Sequence, residues 1–384
     1  MIDPAIALLR DLVAIDSVNP SLVTSGAGER EIAAFIGDWL RRQGFDVHVD
    51  EIAPGRLNVV GVAEGEPGGP TRMLCGHTDT VGVEGMTAPF APEIRDGRLY
   101  GRGSQDMKSG VAAMMSAAAA WVASDRRGAG RVIVAGVADE EYASLGAEAV
   151  AARWQADEAV IPEPTDLRIG IAHKGFSCAE ITVHGRAAHG SRPLDGRDAI
   201  MRMGRVLTRL EALDMRLQAG RSHPLLGAAS LHAGTIRGGT ELSVYPAECV
   251  LQVERRTLPG EETDVALKEV SGIATELAAA DPEFTFSARL VLARPPYATP
   301  GGASVTDSLA DAVRARMGVR PLGGLSFWTD AAILGAAGTP TVLFGPRGAG
   351  LHSIEEYVEV DDVLACRDVF RAWLAMPRTY QGRA

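Results

Sequence analysis

The sequence has few cysteines and no long hydrophobic run. Its 384 residues include only four cysteines, Cys75, Cys178, Cys249 and Cys366, and no two of them form a CxxC pair. A disulfide framework and a cysteine-rich metal cage are therefore excluded, and we expect reduced, buried thiols. The longest apolar run, Val111 to Ala123, is too short to span a bilayer and predicts a buried helix.

Basic runs are also absent, and the formal net charge is -11. An acidic chain without clustered lysine and arginine does not suit a phosphate backbone, so we expect no nucleic-acid partner. The chain begins Met1-Ile2-Asp3-Pro4, with an acid and a proline where a signal peptide would carry positive charge. These features predict a cytoplasmic protein with no membrane partner.

Hydrophobic residues make up 46% of the chain, which is typical of a globular protein, and its length favours two domains. In the first third, apolar strand patterns at 57–62, 71–74 and 131–137 alternate with helical patterns, including one at 109–124. Such alternation predicts an α/β sheet with much parallel pairing.

The middle of the chain changes character. Residues 176–183 alternate apolar and polar side chains, as a half-exposed antiparallel strand does, and a helix is predicted over about 197–217. Further strands are predicted at 231–236, 247–255 and 284–292. From Thr299 the alternation of helix and strand returns. We therefore predict a discontinuous catalytic domain, 1–174 and 295–384, with an α+β insertion at 175–294.

Five short segments carry metal-binding or acid/base side chains, and four of them follow predicted strands or precede a helix. They are Gly76-His77-Thr78-Asp79, Gly101-Arg102-Gly103-Ser104-Gln105-Asp106, Asp139-Glu140-Glu141, Pro162-Glu163-Pro164 and Leu351-His352-Ser353. In open α/β sheets, sites form beyond the carboxyl ends of strands, so these segments can converge. Imidazoles and carboxylates together suit an open, catalytic zinc site or a similar divalent metal.

Each segment alone has an ordinary explanation. An Asp before a helix is usually a cap, and an acidic pair is usually a solvated surface. A nucleotide loop is excluded, because Gly101-x-Gly103 lacks a third glycine and Met107 stands where a phosphate loop needs glycine. Five ordinary explanations at five such positions are together improbable, which favours one shared metal site.

Four of these motifs also resemble a known family. The segments 75–81, 101–110, 139–141 and 162–165 are similar to the signatures of the dinuclear zinc aminoacylase/carboxypeptidase family. Its members include acetylornithine deacetylase, succinyl-diaminopimelate desuccinylase, glutamate carboxypeptidases and aminoacylases. The resemblance covers nearly the whole chain. It implies an α/β metallopeptidase catalytic domain with a mixed, largely parallel sheet, and a smaller inserted α+β lid and dimerisation domain.

Carried over by position, the resemblance implies a site for two Zn²⁺ ions per chain, with Co²⁺ or Mn²⁺ as substitutes. Asp106 would bridge the two ions. His77 and Glu163 would complete one zinc site, and Glu141 and His352 would complete the other.

The resemblance also implies the catalytic side chains. Glu140 would be the general base, and Asp79 would orient His77. In the insertion, the segment 184–190 resembles the family's lid motif, in which His189 reaches the neighbouring subunit's site and stabilises the oxyanion. A homodimer is therefore implied.

Two further positions bear on substrate binding. Arg256 matches the family's arginine that binds a substrate carboxylate. Ser243 departs from the pattern, because many relatives carry there an asparagine that helps to bind substrate.

The function that we predict is cleavage of the amide bond of a small N-acyl-amino acid with a free carboxylate, using metal-activated water and Glu140. The first alternative is a carboxypeptidase or dipeptidase with the same site. Tripeptidase-like relatives fit less well, because many of them carry Asp where this chain has Glu163. The second alternative is a metal-binding protein without catalysis, against which the spare carboxylate of Glu140 argues.

Overall fold

The computed structural model describes residues 2–124, 129–318 and 322–377. The chain divides into two compact units. The first unit comprises the described parts of Met1–Ile171, Thr299–Gly323 and Thr329–Ala384, and the second comprises Ala172–Ala298 and Gly324–Trp328.

The helices and strands follow one another along both units. The α-helices are α1 (Pro4–Ala14), α2 (Arg30–Arg42), α3 (Ser109–Val122), α4 (Leu145–Arg153), α5 (Ala199–Ala219), α6 (Val265–Ala280), α7 (Ser304–Met317), α8 (Ala331–Ala336) and α9 (Val360–Leu374), and a π-helical turn, Ser104–Lys108, precedes α3. The strands are β1 (Asp46–Ala53), β2 (Arg56–Glu64), β3 (Glu66–His77), β4 (Glu93–Arg95), β5 (Arg98–Tyr100), β6 (Ala129–Val137), β7 (Glu158–Ile161), β8 (Ile169–His173), β9 (Gly175–His184), β10 (Ser222–His223), β11 (Gly227–Ala228), β12 (Ser230–Gly238), β13 (Glu248–Thr257), β14 (Thr285–Arg294), β15 (Tyr297–Ala298), β16 (Leu322–Leu325), β17 (Thr341–Leu343), β18 (Gly348–Ala349) and β19 (Tyr357–Glu359).

The first unit is built on a mixed sheet with the strand order β1-β2-β6-β3-β7-β17-β8. Strand β3 runs parallel to both β6 and β7, and β17 runs parallel to β7. The pairs β1–β2 and β2–β6 are antiparallel. The predicted α/β class with a mixed sheet is confirmed, but the sheet is partly rather than largely parallel. Because β3, β6, β7 and β17 share one direction, their carboxyl ends meet at one edge of the sheet.

Helices cover this sheet, and the central strands are therefore apolar on both faces. In β6, Val132, Ile133, Val134 and Ala135 are all buried. Helix α3 is hydrophobic on every side, as the uninterrupted apolar pattern at 109–124 predicts, and it packs against α1 and α9. This rigid layer holds the loops at the strand ends in place.

The second unit contains an antiparallel sheet in the order β12-β13-β9-β14, with α5 and α6 packed on one face. Along β9, buried and half-buried residues alternate, which is the pattern predicted for 176–183. The buried members include Ile181 and Val183, which form a core with Leu251 and Val253 of β13. An antiparallel sheet with helices on one side is the predicted α+β arrangement.

The second unit and the predicted insertion have different boundaries. We predicted an insertion at 175–294, whereas the second unit spans 172–298 and regains 324–328. The roles of catalytic domain and lid stay predictions. All four cysteines are free thiols, and three of them are buried. Within the described ranges, the helices include none that is both long and apolar enough to cross a bilayer.

Candidate active site

The candidate metal ligands lie where strands and turns end in the first unit. His77 is the last residue of β3, and Glu163 follows β7 by two residues. Asp106 lies in the turn before α3, and Gly103 in that turn has a φ of +78°, a conformation that L side chains rarely adopt. A Cβ atom at Gly103 would also lie 2.8 Å from Thr80 Cγ2. The glycine thus permits the tight turn that presents Asp106.

The carboxylate of Asp106 joins two groups of possible ligands. Its Oδ1 atom lies 3.0 Å from His77 Nε2, and its Oδ2 atom lies 3.3 Å from His352 Nε2. Glu163 completes the first group, with Oε1 3.9 Å from His77 Nε2. Glu141 completes the second group, with Oε2 3.2 Å from His352 Nε2. In each group, the ligand atoms of the three residues lie within 4.8 Å of one another.

The charges within these two groups strongly influence each other. Burial alone would lower the pKa of His77, but the hydrogen bond to Asp106 and nearby carboxylates raise it well above its usual value. Asp106 and Glu141 likewise raise the pKa of His352 to about 10. Burial opposes the charged form of Asp106, yet its hydrogen bonds to the two imidazoles hold its pKa below the usual range. Nearby positive charge therefore stabilises the ionised form of the buried Asp106 carboxylate.

Glu140 is an acidic residue of this site that belongs to neither ligand group. Burial raises its pKa well above the usual value, and the charges of Glu163, Asp330 and Glu141 raise it further. Asp330 is itself buried and immediately precedes α8. The sequence analysis did not select Asp330, because an acid before a short helix has no distinguishing local signal.

Asp79 lies beside His77, with its Oδ1 atom 3.7 Å from His77 Nδ1. The backbone oxygen of Asp79, and not its carboxylate, accepts a hydrogen bond from His77 Nδ1 at 3.0 Å. In the neutral ring, Nε2 is then unprotonated and can bind a metal. The Asp79 carboxylate accepts hydrogen bonds from the backbone amides of Glu140 and Glu141 at 3.1 and 3.2 Å. Asp79 therefore holds the acidic pair in place as well as lying beside His77.

The other three predicted site residues lie in the second unit. His189 is exposed, and its Nδ1 atom accepts a hydrogen bond from the backbone N–H of Ser191 at 3.2 Å. Ser243 lies next to that turn, because its backbone oxygen accepts a hydrogen bond from Gly190. The backbone thus brings Ser243 to His189 within this unit.

Arg256 lies on β13, where its Nε atom pairs with Glu254 Oε1 at 2.6 Å. Its guanidinium also lies over the ring of Phe176, 5.6 Å from the ring centroid. The ion pair with Glu254 thus uses the Nε atom of the guanidinium.

Residues 73–376 match peptidase family M20/M25/M40. The chain belongs to this family. Membership makes the protein a hydrolytic metalloenzyme, and the prediction of its family and of its enzymatic nature is confirmed.

Relatives within the M20 family align along almost the whole chain. It is 32% identical to an acetylornithine deacetylase from Myxococcus xanthus over 377 residues, which cover 94% of both chains. It is 28% identical to a succinyl-diaminopimelate desuccinylase from Leptothrix cholodnii over 403 residues, covering 97% of this chain and 98% of the relative. The fold resembles that of a dinuclear metal-binding M20 peptidase from Bacillus subtilis with a TM-score of 0.72, 17% identity and coverage of 97% and 96%.

The residues present suit a pair of divalent metals, as expected for the M20 family. Each group offers one imidazole nitrogen and carboxylate oxygens, and Asp106 contributes one oxygen toward each group. Nitrogen and oxygen donors of this kind bind zinc and similar ions in catalytic sites. Cations there would also neutralise carboxylates that otherwise repel one another.

Behind the acidic pair lies a buried polar network that the sequence analysis missed. Arg56 donates to Glu29 through Nε at 2.7 Å, and its Nη1 atom lies 2.9 Å from Asp139 Oδ1. Asn19 Nδ2 bridges Asp139 and Asp79 at 3.1 and 2.8 Å. All five residues are buried. The Asn19-Pro20 dipeptide marks a turn, but no local signal indicates the partners that tertiary packing supplies.

We expect Arg56→Ala to lower the free energy of unfolding by about 3–5 kcal/mol, because it leaves buried carboxylates without their counter-charge. Urea denaturation of the metal-free protein measures the change. The matched control is Arg153→Ala, which breaks the exposed 2.7 Å pair with Asp50 and should cost less than about 1 kcal/mol. Equal losses in the two variants would contradict a structural role for the network.

Proposed function

We propose that this M20 hydrolase is a dinuclear zinc deacylase that cleaves the amide bond of a small N-acyl-amino acid. The observation that carries the proposal is the arrangement of Asp106 between two imidazoles, with Glu140 close by and outside both ligand groups. A purely structural metal site would need no additional carboxylate. The deacetylase and desuccinylase names of the relatives support an acyl group as the part that is removed from the amine.

Different side chains of this protein have different roles in the proposed hydrolysis. His77 and Glu163 would hold one metal and Glu141 and His352 the other, with Asp106 between them. Bound metal supplies Lewis-acid polarisation of the amide carbonyl and acidifies water.

Glu140 takes the proton of the attacking water and delivers it to the leaving amine. In the neutral ring of His189, the Ser191 N–H faces Nδ1, so the proton lies on Nε2 and can be donated to the oxyanion. The proposal places His189 in the site of the partner subunit, which makes the protein a homodimer. It also includes the cytoplasmic location predicted from the sequence.

A specific alternative remains within the same chemistry. An exopeptidase, either a carboxypeptidase or a dipeptidase, would use the same metals and the same base, and the name of the Bacillus subtilis relative is that of a peptidase. The two functions differ only in whether an acyl group or an aminoacyl residue leaves the substrate amine.

A substrate panel tests the proposal. We expect the zinc-loaded protein to hydrolyse N-acetyl- and N-succinyl-amino acids faster than dipeptides of the same amino acids. Release of the free amine is measured in both sets. A preference for dipeptides would establish the exopeptidase. If the protein has its metals bound and turns over neither set, a non-catalytic metal-binding role is favoured.

Arg256→Ala should raise KM for substrates with a free carboxylate by roughly 10–100-fold, since a hydrogen bond to a charged group contributes about 1.5–3 kcal/mol. Arg256→Lys should restore little, because lysine lacks the planar fork. Arg205→Ala, which changes an exposed helix residue paired with Asp281, is the control and should leave KM unchanged. If wild-type protein cleaves a carboxamide substrate as well as the free acid, Arg256 does not have this role.

A further inference from the structure

Two buried residues of opposite charge, Arg102 and Glu356, lie next to the ligand groups without belonging to either. Arg102 follows β5 by two residues, and Glu356 immediately precedes β19. These strands pair with each other, with Tyr357 opposite Tyr100. The small sheet therefore brings together two charged residues that are more than half the chain apart in sequence.

The carboxylate of Glu356 accepts hydrogen bonds from four donors. Its Oε2 atom accepts from Arg102 Nη1 at 2.7 Å and from the backbone amide of Gly103 at 3.0 Å. Its Oε1 atom accepts from the backbone amides of Gln105 and Asp106 at 2.8 and 3.1 Å. One side chain thus fixes the whole turn that presents Asp106, including the amide of Asp106 itself.

Arg102, which donates to Glu356, also donates a hydrogen bond to the loop that carries His352. Its Nη2 atom donates to the backbone oxygen of Ser353 at 3.0 Å, and Ser353 follows His352 directly. Both Nε and Nη2 also donate to the backbone oxygen of Gly82, at 3.1 and 2.9 Å. The guanidinium therefore ties three separate loops together in the first unit.

His352 depends on such support more than the other ligand candidates do. Its side chain is 53% exposed, and its φ of +58° is unusual for a residue that is not glycine. Among the residues that the structure describes, its imidazole makes polar contacts with Asp106 and Glu141, which are themselves candidate ligands. The packing around the ring alone does not determine how far His352 lies from Asp106.

We propose that Arg102 and Glu356 are positioning residues that set the spacing between Asp106 and His352. Through that spacing they determine how tightly the group of Asp106, Glu141 and His352 binds a divalent metal. This inference rests on the proposed dinuclear function. Hydrogen-bonding partners of metal ligands commonly affect metal affinity in this way, because they hold the ligands in their binding orientation.

We expect that glutamine at position 356 cannot make the hydrogen bonds of Glu356, although the two side chains have the same shape. Each carboxylate oxygen faces two N–H donors, so the amide NH₂ of a glutamine would face two donors in either orientation. The neighbouring Glu355 offers a matched control. Its side chain is 69% exposed, so Glu355→Gln makes the same change of charge without disturbing a buried network.

The test measures zinc binding to metal-free protein by competition with a chromophoric chelator, in the wild type and in the Glu356→Gln, Arg102→Lys and Glu355→Gln variants. We expect two zinc ions per wild-type chain. In Glu356→Gln and Arg102→Lys, the weaker of the two dissociation constants should rise by about 10–100-fold. Glu355→Gln should bind like the wild type, and excess zinc should restore most of the kcat lost in Glu356→Gln.

The alternative results separate the two proposals. If the wild type binds two zinc ions and the variants bind both with unchanged affinity, the positioning role is wrong while the dinuclear site stands. If the wild type never binds more than one zinc ion, the dinuclear proposal fails and this inference fails with it. Should circular dichroism show that Glu356→Gln does not fold, the Arg102→Lys isotherm decides by the same criterion, since lysine keeps the charge.

Discussion

Replacing Glu140 with glutamine should lower kcat by about 10²–10⁴-fold, the usual effect of removing a general base, while metal content stays near that of the wild type. The amide keeps the shape of the side chain but cannot accept a proton. Glu140 lies outside both ligand groups, so its loss removes no metal ligand. Rate measurements and metal analysis on the same purified sample check both parts of the expectation.

The adjacent acid provides the matched control. Glu141 Oε2 lies 3.2 Å from His352 Nε2 within the second ligand group, so Glu141→Gln should weaken metal binding. Both side chains follow the same strand, and both backbone amides bond to the Asp79 carboxylate. If Glu140→Gln loses metal and Glu141→Gln retains it, the two assignments are reversed.

A similarly large effect is expected at His189. His189→Ala should lower kcat by about 10²–10³-fold, as removal of one oxyanion donor does. The imidazole of His189 is exposed. In its neutral form Nε2 carries the proton, because the N–H of Ser191 donates to Nδ1. Initial rates at saturating substrate, with metal content confirmed, measure the loss.

Mixed dimers test whether His189 acts on its own chain or on its partner. His189→Ala and Glu140→Gln homodimers should each be nearly inactive. A heterodimer has one site that combines an intact Glu140 with the partner's His189, and another site with both defects. Co-refolding should therefore recover about a quarter of wild-type activity, because half of the dimers have one working site of two and each constellation acts as a unit.

Differently tagged chains allow the heterodimer to be purified and its formation verified. A purified heterodimer without recovered activity would show that His189 serves its own chain or takes no part in catalysis. A protein that stays monomeric throughout active turnover would also exclude the proposed exchange of residues.

Much of the first unit could be predicted from local patterns in the sequence. The apolar runs of β3 and β6, separated by the hydrophobic helix α3, indicated parallel strands with a helical crossover. Candidate ligands at the strand ends followed from the same pattern, since the carboxyl ends of parallel strands share an edge. Strand β1 and helix α6 were not predicted. Both carry mixed polar and apolar residues whose burial depends on the neighbouring strands.

The sequence by itself determined the class of the fold, the metal chemistry and the family, because these follow from residue types, periodicity and short motifs. Only the tertiary structure decided that the Asp79 carboxylate bonds to the amides of Glu140 and Glu141, and that Glu356 supports the Asp106 turn. These contacts join residues about 60 to 250 positions apart. Their partners are set by strand register and helix packing, to which residues along the whole chain contribute, and no local pattern encodes them.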